Sequence, residues 1–289
     1  MANKIPMRLQ GHEKFALRDG WINKALMFID DNPKVFQGKD GPDVFGIGNN
    51  MVKSLRYWLK AFGIIEESPN KGASLTELGK IIKEYDPYLE DNFTLWVLHS
   101  NIAKNLEEAT SWYMFFNKCN IDNLDREQIT KLLVREISKY ANGQAFSENS
   151  VKSDVDVILS MYSKNKSLVD PEDKNISPFS VLELIKENEG KYSKNQPNRR
   201  IINEYNILYE LSYCFMDTYS YAIDKLIYGE KSISSIYNIS NVIINDYLDK
   251  LDSLEYIKTN RTAGLDTIYL LKLDITPYSV MKEYYEMRK

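Results

Sequence analysis

The stretch "GIGNNMVKSLRYWLKAFGIIEE", residues 46–67, limits the fold more than any other. Met51, Leu55, Trp58, Leu59 and Phe62 fall at i, i+4, i+7, i+8 and i+11, the spacing of one apolar helix face. Gly46 and Gly48 precede that helix and Gly63 follows it, where a chain turns into and out of a helix. "IIEE" then reads as a short strand, "SPNKG" as a turn and "ASLT" as a return strand. A helix tied this closely to a strand pair buries its apolar face only if further helices cross it.

The flanks supply them. In "RDGWINKALMFIDDNP", Trp21, Ala25, Phe28 and Ile29 recur with helical spacing, and Pro33 closes the segment. "PDVFGIG" is a second, short helix or turn, and Thr76 opens a helix that ends near Asp86 and Pro87. Residues 20–85 thus run helix, short helix, helix, strand, turn, strand, helix, which predicts a winged helix. Near the other end, "SISSIYNISNVIINDYLDKLDSLEYIKTNRTAGLDTIYLLKL" reads as short helix, turn, helix, strand, turn, strand. Its helix stripe is Ile243, Tyr247, Leu251 and Leu254.

The middle is helical. "LEDNFTLWVLHSNIAKNLEEATSWYMFFNKC" is apolar on more than one face, so Trp112, Tyr113, Phe115 and Phe116 are expected in the core, not as a base-stacking platform. "REQITKLLVREISKYANG" and "SENSVKSDVDVILSMYSKN" are amphipathic helices, the second with serine cap candidates. The expected fold is mainly α, with winged-helix modules near both ends and a helical middle. Its divisions are 1–85, 86–165 and 175–289, with a soft boundary in the loop 164–177.

The glycine turn poses a choice between a nucleotide site and a helix-turn-helix. A phosphate loop needs G-x-x-x-x-G-K-[ST], and a dinucleotide fingerprint needs a third glycine after a buried strand. Gly46-Ile-Gly48 has neither. In the helix-turn-helix reading, Asn49 or Asn50 caps the following helix. With Met51, Leu55, Trp58 and Phe62 inward, the opposite face carries Asn50, Lys53, Ser54, Tyr57 and Lys60, with Arg56 at its edge. Asn can read adenine, Arg guanine, and Lys or Tyr can hold phosphate. The expected DNA-binding set is therefore Asn49, Asn50, Lys53, Ser54, Arg56, Tyr57 and Lys60. The competing reading is a solvated charged face.

Charge supports a local footprint only. The formal net charge is -4, but residues 1–62 hold ten Lys/Arg against six Asp/Glu, and residues 84–125 hold two against eight. Counterion release depends on the contacts made, so a basic face on an acidic chain can bind DNA. The C-terminal helix exposes Asn241, Asn245, Asp246, Asp249 and Asp252, and phosphates repel its aspartates. On its wing Lys258 and Arg261 are secondary anion contacts, and Lys191, Lys194, Arg199 and Arg200 form a second candidate patch beside the equal alternative of a solvated loop.

Other chemistries have little to stand on. Cys119 and Cys214 are far apart, and His12 and His99 are the only histidines, so neither a disulfide framework nor a zinc centre is expected. Asp86, Glu90 and Asp91 cluster in "YDPYLED"; helix capping is the plainer account of them than magnesium or acid–base chemistry. His12 beside Glu13 is read as packing the N-terminal tail on the core rather than as catalytic. No apolar run approaches the length that spans a bilayer, and "MANKIPMRLQGHEKF" lacks a signal-peptide core, so a cytoplasmic protein is expected.

Five blocks in order resemble a known family: "GHEKFALRDGW", "GIGNNMVKSLRYWLKAFGIIE", "LTELGKII" with "DPYLEDNFTLWVLH", "EATSWYMFFN" and "VKSDVDVILSMY". They are similar to the successive blocks of a bacterial family, domain of unknown function 4007. They run from about residue 10 to 162, with looser similarity through "GKYSKN" to the end. Members are often encoded near phosphoadenosine-phosphosulfate-reductase-like genes, in loci linked to DNA phosphorothioation and phage defence. The resemblance implies an accessory role in DNA sulfur modification and brings no catalytic residues with it. The expectation is a non-enzymatic, DNA-binding accessory or regulatory protein without cofactor or metal. Duplex DNA is its expected partner, with a reductase-like protein and a second copy as further candidates. The alternative is a scaffold whose winged helices dimerise or dock the reductase-like partner without touching DNA.

Overall fold

The computed structural model describes residues 4–163, 176–262, 265–272 and 274–288. It divides into two compact units, Met1–Asn195 and Gln196–Lys289. Most of the soft boundary placed at 164–177 lies outside the described residues.

The first unit opens with α1 (Trp21–Phe28), α2 (Gly41–Phe45) and α3 (Asn49–Ala61). A short antiparallel hairpin follows, β1 (Ile65–Ser68) and β2 (Gly72–Leu75), with Ile65 opposite Leu75. Then come α4 (Glu77–Tyr85), α5 (Asn92–Lys104), α6 (Thr110–Lys118), α7 (Arg126–Ala141) and α8 (Glu148–Ser163). A 3-10 turn at Pro178–Leu182 and the hairpin β3 (Ile185–Asn188) and β4 (Lys191–Lys194) complete the unit.

Local chemistry accounts for most of the boundaries. Gly63, at φ 76°, ends α3. Its N–H donates to the Lys60 carbonyl and the Ile64 N–H to the Leu59 carbonyl, the paired bonds that close a helix around a left-handed residue. The Thr76 hydroxyl accepts the Gly79 N–H and starts α4. Asp91 caps α5, and Asp125 with Gln128 forms a capping box on α7. The start of α3 departs from expectation. Gly48 holds the cap position in extended geometry, and neither Asn49 nor Asn50 caps the helix. On α1 the buried residues are Trp21, Ile22, Ala25 and Leu26; Phe28 lies outside the stripe, with only its ring edge against Phe45.

The core of this unit is aromatic. Trp58 stacks on Phe62 with centroids 5.7 Å apart, and Phe62 on Phe179 at 5.2 Å. Trp112, Tyr113, Phe115 and Phe116 are all buried, as expected of core. Each such side chain removed from water stabilises the fold by roughly 1.5–3 kcal/mol before entropy is counted.

The second unit contains α9 (Glu204–Cys214), β5 (Ser220–Ala222), α10 (Ile223–Tyr228), α11 (Ile233–Tyr237), α12 (Asn241–Ser253), β6 (Ile257–Thr262), β7 (Leu265–Leu270) and α13 (Pro277–Glu286). Its antiparallel sheet has the order β5-β7-β6, so β7 is central. The sequence pattern anticipates α11, α12, β6 and β7. It misses β5, a three-residue strand with no periodicity to detect. The molecule is mainly helical with small antiparallel sheets.

Candidate functional site

The sequence places α3 between a core face and a solvent face. The structure adds a third side. Residues 4–17 cross α3 as a strap. The Ile5 N–H donates to Gln144, the Arg8 N–H to Thr110 and the Gln10 N–H to Asp154, while Tyr140 donates to the Pro6 carbonyl. The Phe15 carbonyl accepts from Ser54 Oγ at 3.3 Å and from Trp58 Nε1 at 3.2 Å. Gly11 lies so close to the Tyr57 ring that a Cβ there would meet it.

Two members of the expected DNA-binding set are therefore not on the surface. Ser54 is fully buried beneath Phe15, and Tyr57 is 2% exposed beneath Gly11 and Arg8. Burial pushes the Tyr57 hydroxyl well above its ordinary pKa, so it stays a neutral phenol. Asn49, Asn50, Lys53 and Arg56 are exposed, and Lys60 is half-buried.

His12 anchors the strap. Its Nε2 lies 2.7 Å from Asp154 Oδ1, and its Nδ1 accepts the Lys14 N–H at 3.1 Å, which places the ring proton on Nε2. The ring stacks on Trp58 at 5.8 Å, edge-on to Tyr57 and Trp112. Asp154 also accepts from Ser111 Oγ at 2.5 Å. Serine, aspartate and histidine meet here, but the carboxylate sits in the middle, so the histidine takes no proton from the hydroxyl. All three are fully or nearly fully buried. The expected packing role of His12 is what the structure shows.

Beside the strap lies a cleft of about 210 Å³ lined by Arg8, Gly11, Glu13, Phe36, Val52, Lys53 and Arg56. Three cations and one carboxylate, Glu13, thus line one concavity. Arg8 Nη1 binds Glu108 at 2.5 Å, and its guanidinium lies over the Tyr57 ring at 5.1 Å. Arg56 Nε binds Glu67 at 2.7 Å. Lys60 lies 3.5 Å from Glu108 and 4.0 Å from Glu67. Burial works to raise the Glu108 carboxyl, but Arg8 and Lys60 outweigh it and hold its pKa below the ordinary value. Lys53 reaches only Asn50 Oδ1, at 3.4 Å, with no carboxylate in range among the described residues.

The remaining candidates disperse. Lys194 turns inward: its Nζ donates to the Phe116 and Cys119 carbonyls at 2.9 and 2.8 Å. Desolvation pushes its pKa down to about 8, and its ammonium is already spent on those two carbonyls, so it is a half-buried strut rather than a free surface cation. Lys191, the first residue of β4, and Arg200, in the turn before α9, are both exposed. Arg199 pairs with Asp246 at 2.8 Å, Arg261 with Asp249 at 2.7 Å and Lys258 with Asp252 at 3.0 Å, so the aspartates of α12 hold these three cations. Asp86 accepts the Glu90 and Asp91 N–H groups and the Thr94 hydroxyl, and burial raises its pKa. It clamps the turn into α5, the capping role expected of that cluster. Among the described residues no three His, Cys, Asp or Glu side chains gather as a metal site, and no helix is long and apolar enough to cross a membrane.

One comparison with known proteins gives the family and another the fold. The family described as protein of unknown function (DUF4007) matches residues 9–285, and the chain belongs to it. No curated protein matches the sequence. Among solved structures, one described as "SspB crystal structure" superposes with a TM-score of 0.83 at 24% identity, over 97% of this chain and 87% of its own. A second, "Magnesium ion-bound SspB crystal structure", gives 0.84 at 24% identity, with the same coverage.

Proposed function

We propose that this member of the family is a non-enzymatic DNA-binding accessory or regulatory protein. Its N-terminal unit docks duplex DNA as a winged helix, with α3 as the reading helix and the β1–β2 hairpin as the wing. The observation that carries the proposal is the cleft where Arg8, Lys53 and Arg56 converge at the exposed side of α3. A short helix and a glycine turn lead into α3, and the hairpin follows it. Lys53, Arg56 and Arg8 hold phosphates, and Asn49 and Asn50 stand at the end of α3 where base edges come within reach. The acidic helix α12 has no part in this contact, because Asp246, Asp249 and Asp252 neutralise the cations beside them, Arg199, Arg261 and Lys258. The link to DNA phosphorothioation and phage defence follows from the family resemblance alone.

The test is fluorescence anisotropy with a labelled duplex across a salt series, for the native chain and for Lys53→Ala with Arg56→Ala. Native binding weakens steeply with salt. The double variant binds more weakly, and its salt slope is shallower by about 0.9 for each phosphate it no longer neutralises. Absence of binding by the native chain and by every variant at low salt overturns the proposal.

One observation favours the scaffold alternative. The C-terminal unit exposes Met216, Tyr219, Tyr228, Val242 and Leu271, apolar side chains suited to protein contact. In that reading the exposed apolar surface docks a reductase-like partner or a second copy of the chain.

A further inference from the structure

We infer that Glu67 and Glu108 are built-in competitors of the DNA phosphates for Arg8, Arg56 and Lys60, and so set the affinity of the α3 face, an inference that rests on the DNA-binding reading above. The five side chains form one continuous run of alternating charge. Arg8 joins Glu108, Glu108 joins Lys60, Lys60 joins Glu67 and Glu67 joins Arg56, with separations of 2.5, 3.5, 4.0 and 2.7 Å. Three cations and two carboxylates leave one net positive charge in the run, and Lys53 adds a second.

Glu67 is held and Arg56 is offered, while Glu108, at 35% exposed, sits level with Arg8 at 39% and Lys60 at 29%. The Glu67 side chain is 10% exposed and the Arg56 side chain 44%. Glu67 sits on β1, whose pairing with β2 fixes its position. A carboxylate presents oxygen acceptors to a guanidinium much as a phosphate does. Arg56 spends Nε on Glu67 and Arg8 spends Nη1 on Glu108, which leaves further guanidinium N–H donors on each. A phosphate entering the cleft therefore meets half-neutralised arginines, with Glu67 and Glu108 behind them and the Glu13 carboxylate on the cleft wall. Lys53 alone offers its full charge.

Purely structural ion pairs behave differently. Neutralising their acids lowers stability and leaves DNA affinity unchanged or reduced. Competing carboxylates predict the opposite sign for affinity, and that sign separates the two.

The experiment is the same duplex titration with the full chain carrying Glu67→Gln, Glu108→Gln, both together, or Lys53→Ala. Glutamine keeps the shape and one acceptor oxygen and removes the charge. Each single Gln variant binds roughly twofold to fivefold more tightly, the scale of one exposed ion pair. The double variant binds tighter still, with a steeper salt dependence. Native binding weakened by Lys53→Ala but unchanged or weakened by the Gln substitutions overturns the inference and leaves the DNA reading standing. Binding by the double variant alone supports both. Silence from every protein at low salt overturns both. A thermal melt checks each fold; should Glu67→Gln melt early, Glu108→Gln carries the same prediction from a carboxylate that is 35% exposed.

Discussion

Replacing Asp154 with alanine asks how much of the N-terminal unit hangs on one buried carboxylate. Asp154 is 1% exposed and accepts from the Gln10 N–H at 2.8 Å, His12 Nε2 at 2.7 Å and Ser111 Oγ at 2.5 Å. Alanine strands three donors among aromatic rings. Each buried donor left unpaired costs roughly 1–3 kcal/mol. The total is capped, however, by the free energy with which the strap docks, because a strap that peels away returns Gln10 and His12 to water. The expected loss is about 3–5 kcal/mol, within the range for breaking a buried charged network. Asp154→Asn is the control. Its amide oxygen keeps the Gln10 and His12 bonds, and its NH2 donates to the Ser111 oxygen, so it costs about 1–2 kcal/mol. Denaturant titration measures both variants, and amide hydrogen exchange at Gln10 reports whether the strap has detached. An alanine variant within about 1 kcal/mol of native, with the Gln10 amide still protected, refutes the reasoning. An Asn variant as damaged as the Ala variant shows that charge, and not the number of acceptors, holds the strap.

Two further outcomes follow from particular contacts. Gly79→Ala sets a helix-propensity gain of about 1 kcal/mol against a Cβ that runs into the Ile64 carbonyl oxygen; a clash with backbone falls at the upper end of the roughly 1–3 kcal/mol range for overpacking and wins, for a net loss of about 1–2 kcal/mol by denaturant titration, and a stabilised variant refutes it. Asp252 is held down to about 2 because it accepts from the Thr259 hydroxyl and N–H and from Lys258. A lowered carboxylate pKa contributes stability above its unfolded value and loses it as pH falls, so the gap between native and Asp252→Asn melting temperatures closes between about pH 4 and pH 2; a gap independent of pH in that window rules out the carboxylate as its source.

What the sequence made legible was what the chain decides locally. The apolar repeat of α3, the turn at Gly63, the hairpin after it and the Thr76 cap each depend on residues within a few positions, and each stands where the pattern put it. The strap has no such pattern. Residues 4–17 show no periodicity, Gln10, Glu13 and Lys14 adopt positive φ, and their partners lie more than 100 residues away in Thr110, Gln144 and Asp154. A helical wheel assumes one buried side, so Ser54 and Tyr57 fell on the solvent face until a second layer covered them. Lys194 misled in the same way, because a lysine in a polar hairpin gives no sign of the two carbonyls waiting for it.

The charge map shows the deeper limit. The surplus of positive charge in residues 1–62 and of negative charge in residues 84–125 are both visible in the sequence, and taken separately they suggest a basic face and an acidic one. Folding brings Glu108 from the acidic stretch, and Glu67 from the hairpin, onto Arg8, Arg56 and Lys60. The potential that an approaching phosphate meets belongs to a surface and not to a segment. Counting cations along α3 therefore overstates what that face offers, and the two carboxylates decide how much of it remains.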